Sequence, residues 1–388
     1  MSARPTRVAL GIMTGTSADG IDVACIRAAG RGRRMRVSVL GHLHTPFAPA
    51  LRRRILEIMA PAHTSTEQLA RLHADLGQAC ARAACRALET FPEARRCCVI
   101  GLAGQTVCHC PGTRGRRTVT LQLGEPARVA AATGVPVVAD FRQSDVARGG
   151  QGAPLVPWTD WILLGHPTRH RAVQNIGGIA NVTWLPAGGG PEEVIAFDTG
   201  PGNMLIDALV ALATDGRERM DRHGRRAARG TVLGPILARW LSHPFFRRRP
   251  PRTTGRETFG VQFARAQLPA LQALSPRPDD WIATATALTA ATIARSCVRW
   301  LPAQILEGDF DLVLCGGGAS NATLVNMLSE SLPMTRILRI DQLGIPSQAK
   351  EAASFAILAL ARLDGVPASL PAATGADRPA VLGSLWMP

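Results

Sequence analysis

The sequence predicts an α/β protein of two related lobes, and three observations carry that prediction. An apolar strand, a tip of glycines and small polar residues, and a second apolar strand occur at residues 7–26 and again at 170–185. Around both copies, strand-like runs alternate with stretches of helical spacing. The chain has 388 residues, of which 46% are hydrophobic, enough for one large or two medium packed domains. Two copies of one hairpin suggest a duplicated lobe, although two unrelated hairpins in one sheet would give the same pattern. A ligand is expected in the cleft between lobes.

Taken in order, "RVALGIM", "IDVACIRA" and "RVSVLGHL" read as three strands across residues 7–44. Helical spacing follows at 49–60 and 66–90, with Leu69, Leu72, Leu76 and Ala79 on one stripe. "CCVIGLAG" reads as a buried strand and "TVTLQLG" as an alternating one. "EPARVAAATG" is a helix with a glycine stop, and "VPVVADF" a further strand. The second half repeats the hairpin in "RAVQNIGGIANVTWL". A strand and loop, "EEVIAFDTGPGN", then lead into the helix "MLIDALVALA". "FDLVLCGGGASN" is again a strand and glycine loop, ahead of the helix "ATLVNMLSESL". The division is expected at 1–168 and 169–388, with the last ~25 residues able to pack back on the first lobe.

The formal charge is +15, and Lys350 is the one lysine. Short clusters at Arg31–Arg36, Arg52–Arg54 and Arg247–Arg249 come without a nucleic-acid motif. With no tyrosine and 4% aromatics, base-stacking platforms are scarce. Solvated arginine faces are expected, and no specific nucleic-acid partner. The nine cysteines include adjacent Cys97 and Cys98. "CHC" at 108–110 has no second ligand pair at metal spacing, so reduced cysteines are expected. No secretory signal and no stretch of ~18 apolar residues is present, which predicts a soluble cytoplasmic protein without membrane contact.

The tip "TGTSADG" places Thr14, Gly15, Thr16 and Ser17 in a row. Glycine lets backbone N–H groups approach a phosphate, and hydroxyls add donors. A long hairpin loop of ordinary turn residues is the plainer reading. Asp19 and Asp22 are candidate magnesium ligands, Asp19 serving equally well as a turn residue. A P-loop is excluded because GxxxxGK[ST] is absent, and a protein kinase because HRD and DFG are. "CGGGASN" is not GxGxxG, so the dinucleotide fingerprint is weak. Asp198, at a strand end in "FDTGPGN", is either a general base or a turn residue. The helix start just beyond it would favour an anion. In "DFRQSDVARGGQGAPLVP", Arg142 and Asp145 sit three apart and could pair. Alternatively Arg142 or Gln151 meets substrate hydroxyls or a carboxylate.

Ten segments, in order and nearly end to end, resemble the anhydro-N-acetylmuramic acid kinases of the actin/hexokinase/Hsp70-like superfamily. They are "GIMTGTSADGID", "AGQTVCH", "TLQLGE", "ADFRQSDVARGGQGAPLVP", "NIGGIANVT", "FDTGPGNMLID", "PPRTTGRETF", "LCGGGASN", "KEAASFA" and "TGADRPAVLG". The resemblance implies an α/β fold of two ribonuclease-H-like lobes around a nucleotide cleft, ATP and Mg²⁺, and a homodimer. It implies that water opens the 1,6-anhydro ring of the sugar while O6 is phosphorylated, giving N-acetylmuramate 6-phosphate in cell-wall recycling. By the same resemblance Gly15, Thr16, Ser17, Ala18, Asp19, Gly20, Ile21 and Asp22 bind ATP, and Asp198 activates the water. Gly177, Gly178, Gly200, Gly316, Gly317, Gly318 and Asn321, in the other glycine loops, are further nucleotide candidates. Gln105, Arg142, Asp145 and Gln151 are candidates for the sugar.

The sequence departs from the family pattern at Ala103 and Asp160, where histidines are usual. Arg252 replaces a lysine and Thr14 a serine. Two rival functions are a related sugar kinase with a shifted substrate, and a non-catalytic sugar or nucleotide sensor.

Overall fold

The computed structural model describes residues 6–60, 63–112, 117–302 and 310–388. The chain forms two compact units, Met1–Leu164 with Gly344–Pro388, and Gly165–Leu343.

In the first unit, β1 (Thr6–Thr14), β2 (Gly20–Ala29) and β3 (Arg36–Pro46) form an antiparallel meander. β4 (Cys97–Leu102) runs parallel to β1, and β7 (Val137–Ala139) parallel to β4. β13 (Ser384–Trp386) closes the edge against β7, so the order is β13-β7-β4-β1-β2-β3. β1 is central and covered on both faces, which is why it reads as a nearly unbroken apolar run. β5 (Gln105–Cys110) and β6 (Val119–Leu123) make a separate two-stranded ribbon. The helix Thr66–Thr90 opens with a Ser65–Gln68 capping box and buries Leu72, Leu76, Ala79, Ala83 and Ala87. That three-and-four spacing is the stripe expected from the sequence.

The extent of the first unit differs from the expected division. All of 344–388, not only its last stretch, belongs with 1–164, and the boundary falls after Leu164. The helix Lys350–Leu363 is the reason. It lies so close to the sheet that a Cβ at Gly11 would overlap the Ala352 carbonyl, and one at Gly101 the Phe355 carbonyl. Ala352 to Ala361 are all buried as a result.

In the second unit, β8 (His170–Ile176), β9 (Ile179–Leu185) and β10 (Ile195–Pro201) again form an antiparallel meander. β11 (Phe310–Cys315) runs parallel to β8, and β12 (Arg336–Arg339) parallel to β11. The order β10-β9-β8-β11-β12 repeats β7-β4-β1-β2-β3 read from the other end. Both units therefore carry the ribonuclease-H-like strand order, as duplication requires. The helix Pro278–Trp300 supplies much of this unit's core through Ile282, Leu288, Ile293 and Cys297. Among the described residues no helix is long and apolar enough to cross a membrane.

Candidate active site

The β1–β2 tip is built by its own backbone. Ala18 N donates to Gly15 O at 3.0 Å, and the buried Gln105 adds its Nε2 to the same carbonyl at 3.2 Å. Thr16, Ser17 and Asp19 face solvent, whereas Ala18, Gly20 and Ile21 are buried. Only backbone groups of those three can meet a ligand. Thr14 Oγ1 is buried with no hydrogen-bond partner. Gly20 is required by packing, since a Cβ there would press on Thr45 O at 2.5 Å. Gly15 is not, since a Cβ there would meet nothing closer than Ser17 Oγ at 3.4 Å. The protein's own structure gives no reason for glycine at 15. An orphaned hydroxyl and an unneeded glycine at one tip are what a phosphate cradle has.

Arg52 grips this tip, Nε donating to Ala18 O at 3.0 Å and Nη2 lying 3.4 Å from Asp19 Oδ1. The sequence placed Arg52 in a solvated cluster, and no spacing signal reveals its reach. Asp22 Oδ1 meets His42 Nε2 and His44 Nδ1, each at 2.9 Å. Burial alone would raise the Asp22 pKa, but the two histidine hydrogen bonds outweigh it and hold the carboxyl below its ordinary range. Asp22 Oδ2 and the exposed Asp19 carboxylate are the oxygens a hard cation could use here. Magnesium takes one or two carboxylates beside phosphate and water, so these residues fit it.

Asp145 does not pair with Arg142. It is fully buried, accepting from Gly152 N and from Thr374 Oγ1, each at 2.8 Å. Its work is to pin the 143–152 loop to the returning tail, where Gln151 N also donates to Thr374 O at 2.8 Å. Arg142 sends Nη1 to Gly152 O at 3.2 Å, and burial lowers its pKa. Gln105 likewise supports the tip and has its Oε1 unpartnered. In the "CHC" run, strand alternation sets His109 on the face opposite Cys108 and Cys110. His109 meets Thr120 instead.

In the second unit, Asp198 sits on β10 where the pairing with β9 slips by one residue, leaving Thr199 as the extra residue of a bulge. Such bulges re-aim side chains. Asp198 N donates to Arg252 O at 3.1 Å, and Arg252 Nε donates to Asp198 O at 3.0 Å. Thr254 N donates to Asp198 Oδ2 at 2.9 Å. Oδ1 has no hydrogen bond among the described residues, and the neighbouring Thr254 Oγ1 is buried and unpartnered. Burial raises the Asp198 pKa to about 6, against the lowering effects of the Thr254 amide and Arg252. A half-buried carboxylate with one oxygen fixed and one open is poised for proton abstraction near neutral pH.

The glycine loops of this unit converge on Asn203. Its Nδ2 donates to Ile176 O at 3.2 Å and lies 3.7 Å from where a Gly317 Cβ would stand. Gly177 and Gly178, like Gly15, have room for a Cβ, with nothing nearer than 3.5 Å. Gly200, Gly316 and Gly318 are needed for the fold: a Cβ on any of them would collide with its neighbours. Asn321 is the N-cap of the helix Ala322–Ser331, its Oδ1 accepting from Leu324 N at 3.0 Å. The first amides of the helix Asn203–Ala213 are not open to an anion. Gly202 N and Met204 N donate to Gly178 O, and Asn203 N to Gly177 O.

The profile of the family described as Anhydro-N-acetylmuramic acid kinase matches residues 7–388. The chain belongs to this family. A curated relative of that name from Caldanaerobacter subterraneus subsp. tengcongensis is 42% identical, over 98% of this chain and 96% of its own. One from Gloeobacter violaceus is 44% identical, over 97% and 98%, and one from Salinibacter ruber 41%, over 99% and 97%.

As an anhydro-N-acetylmuramic acid kinase family member, the chain accommodates its unusual residues in different ways. Asp160 is 2% exposed, its two oxygens 2.9 and 3.0 Å from Lys350 Nζ. It is the buried partner of the one lysine. Arg252, in place of lysine, bonds the Asp198 carbonyl. Ala103 directly follows β4, its N–H on Ile12 O at 2.9 Å. Glu351, quoted in a matching segment without a role, is solvent-reachable yet crowded. Desolvation raises its pKa, with Lys350 opposing and the Asp22 and Asp160 charges adding.

Proposed function

We propose that the protein is a cytoplasmic, homodimeric kinase that uses ATP and water to convert 1,6-anhydro-N-acetylmuramic acid to N-acetylmuramate 6-phosphate. The observation that carries the proposal is Asp198, a carboxyl with a pKa of about 6 and one open oxygen, in a chain matched along its length by one kinase family.

In this reading, Asp198 Oδ1 takes a proton from water as its oxygen bonds to the anomeric carbon. The bond from that carbon to O6 breaks, and O6 attacks the γ-phosphorus as ADP leaves. The proton ends on Asp198. The Thr254 amide keeps the carboxylate aimed, and such a base contributes ~10²–10⁴-fold. The amides of Gly15, Thr16, Ser17 and Asp19 and the Thr14 and Ser17 hydroxyls receive phosphate oxygens, the Ala18 amide being held by Gly15 O. Asp22 and Asp19 would hold Mg²⁺, which neutralises phosphate charge. Gly177, Gly178 and Gly317 leave room for the nucleoside. Arg142 and Gln151 remain the candidates for sugar polar groups.

The test is a product assay with ATP, Mg²⁺ and the anhydro-sugar in ¹⁸O-water. One label at the anomeric position and one phosphate at O6 are expected. Phosphorylation of ordinary amino sugars alone would support the shifted-substrate rival instead, and nucleotide binding without turnover the sensor. At the tip, Gly15→Ala is expected to raise KM for ATP on the order of tenfold. Thermal unfolding should stay within about 2 °C of wild type, because the side chain enters space the protein does not use. An unchanged KM would remove Gly15 from the phosphate site.

A further inference from the structure

We propose that a basic cavity in the second unit binds a small organic anion, and that Arg252 relays its occupancy to Asp198. The cavity has a volume of about 670 Å³, inside the ~300–1,000 Å³ usual for small-molecule sites. Arg247, Arg252, Arg295 and Arg299 line it, and no acidic residue does among the described ones. Among the described residues, none of the four has a carboxylate partner at ion-pair distance. Elsewhere in the same unit, acids are shared, Asp311 alone serving Arg169, Arg171 and Arg336.

Arg252 makes the case strongest. It is 5% exposed, and all its hydrogen-bond acceptors are neutral. Besides Asp198 O, they are Phe246 O at 3.3 Å and Arg248 O at 3.0 Å for Nη1, and Ser296 Oγ at 2.9 Å for Nη2. Those bonds use four of the five N–H groups, leaving one on Nη2 open. Ring faces of Phe197 and Phe245 stand 5.4 and 4.9 Å from its carbon. Rings and carbonyls offset part of the cost of a buried cation, but no counter-charge among the described residues completes the balance. Burial brings the guanidinium pKa down to about 10, the Asp198 charge opposing and Arg299 adding. A carboxylate or phosphate in the cavity would supply the missing charge. Arg299 lies over the Trp300 ring at 4.8 Å, which offers an apolar face to the body of such a molecule.

The relay follows from the reciprocal bonds between Arg252 and Asp198. Of the groups acting on Asp198, Arg252 is the charged one, and the Thr254 amide is neutral. An anion bound on the far side of Arg252 cancels its pull on Asp198. The Asp198 carboxyl then titrates at higher pH, and the base is ionised over a narrower range.

The binding half needs no turnover, so it stands or falls separately from the kinase reading, on which the relay half rests. Full-length protein saturated with ADP, which fills the nucleotide site, is titrated calorimetrically at constant ionic strength. Inorganic phosphate and citrate are the probes, in separate titrations. One saturable site per chain is expected for at least one probe, and the better probe identifies the head group. Affinity should fall at least about tenfold in the Arg295→Gln/Arg299→Gln double variant, which removes two charge-assisted bonds. It should be unchanged in Arg53→Gln, a surface control in the other unit. No saturable heat from either probe, or equal affinity in the double variant, overturns the site. With the better probe saturating, the acid limb of kcat/KM should move to higher pH in wild type and stay put in the double variant. A limb unmoved in wild type overturns the relay.

Discussion

Asp198→Asn is expected to lower kcat by about 10²–10⁴-fold while leaving the Kd for ATP and for the sugar within about twofold. The amide keeps the shape and can still accept from Thr254 N, so only the proton acceptor is lost. Single-turnover phosphorylation and equilibrium binding, measured side by side, check both halves. In wild type the same carboxyl should set the acid limb of kcat/KM, with activity falling as pH drops through about 6. Asp207 supplies the control. Burial, reinforced by the Asp221 charge, also raises its pKa to about 6, but it lies on the helix Asn203–Ala213, outside the proposed chemistry. Asp207→Asn should leave the limb in place. Stability supplies an independent reading. A carboxyl whose folded pKa exceeds its unfolded value of ~3.9 binds more protons folded than unfolded between the two. Wild-type stability should therefore decline from that contribution as pH rises from about 4 to 6. Asp198→Asn should be the more stable protein above pH 6, by about 1–3 kcal/mol. A variant with near-wild-type turnover would overturn the base assignment.

The second large effect lies at Asp160. Removing one member of a buried ion pair leaves the other charge in a poor solvent, which costs about 3–5 kcal/mol. Asp160→Asn should lower unfolding free energy by that order in urea titrations, with an unchanged m-value. Lys350→Met should do the same. The double change Asp160→Leu with Lys350→Met should recover most of the loss, because two apolar side chains need no counter-charge. A loss below about 1 kcal/mol in each single variant would mean that water already reaches the pair.

Much of this was legible in the chain. Both hairpins announced themselves because a tip of glycines and hydroxyls between two apolar runs has few alternative structures. Asp198 was visible because it ends a strand beside a glycine-rich loop. Long-range partners were not. Arg142 and Asp145 have a spacing that suggests a local pair, yet Asp145 is claimed by Thr374, on the returning tail. Arg52 looked like one of many surface arginines until the fold set it against Ala18. The helix Pro278–Trp300 gave no stripe, because it is buried on most sides and rich in alanine and threonine. Its hydroxyls turn inward, with Thr284, Thr286 and Thr289 bonding carbonyls four residues back. The return of the tail did leave a trace. Gly11 and Gly101 interrupt two apolar strands, and a glycine inside a strand marks the close approach of another backbone.

That return also sets an order of events during synthesis. While the ribosome is still translating the second unit, the strands bearing Gly11 and Gly101 have already emerged without the helix that covers them. The inserted unit is contiguous and can complete itself first, as domains do. The N-terminal sheet must wait for residues 344–388. A nascent chain stalled before residue 344 would hold a bare apolar face, a natural substrate for chaperones.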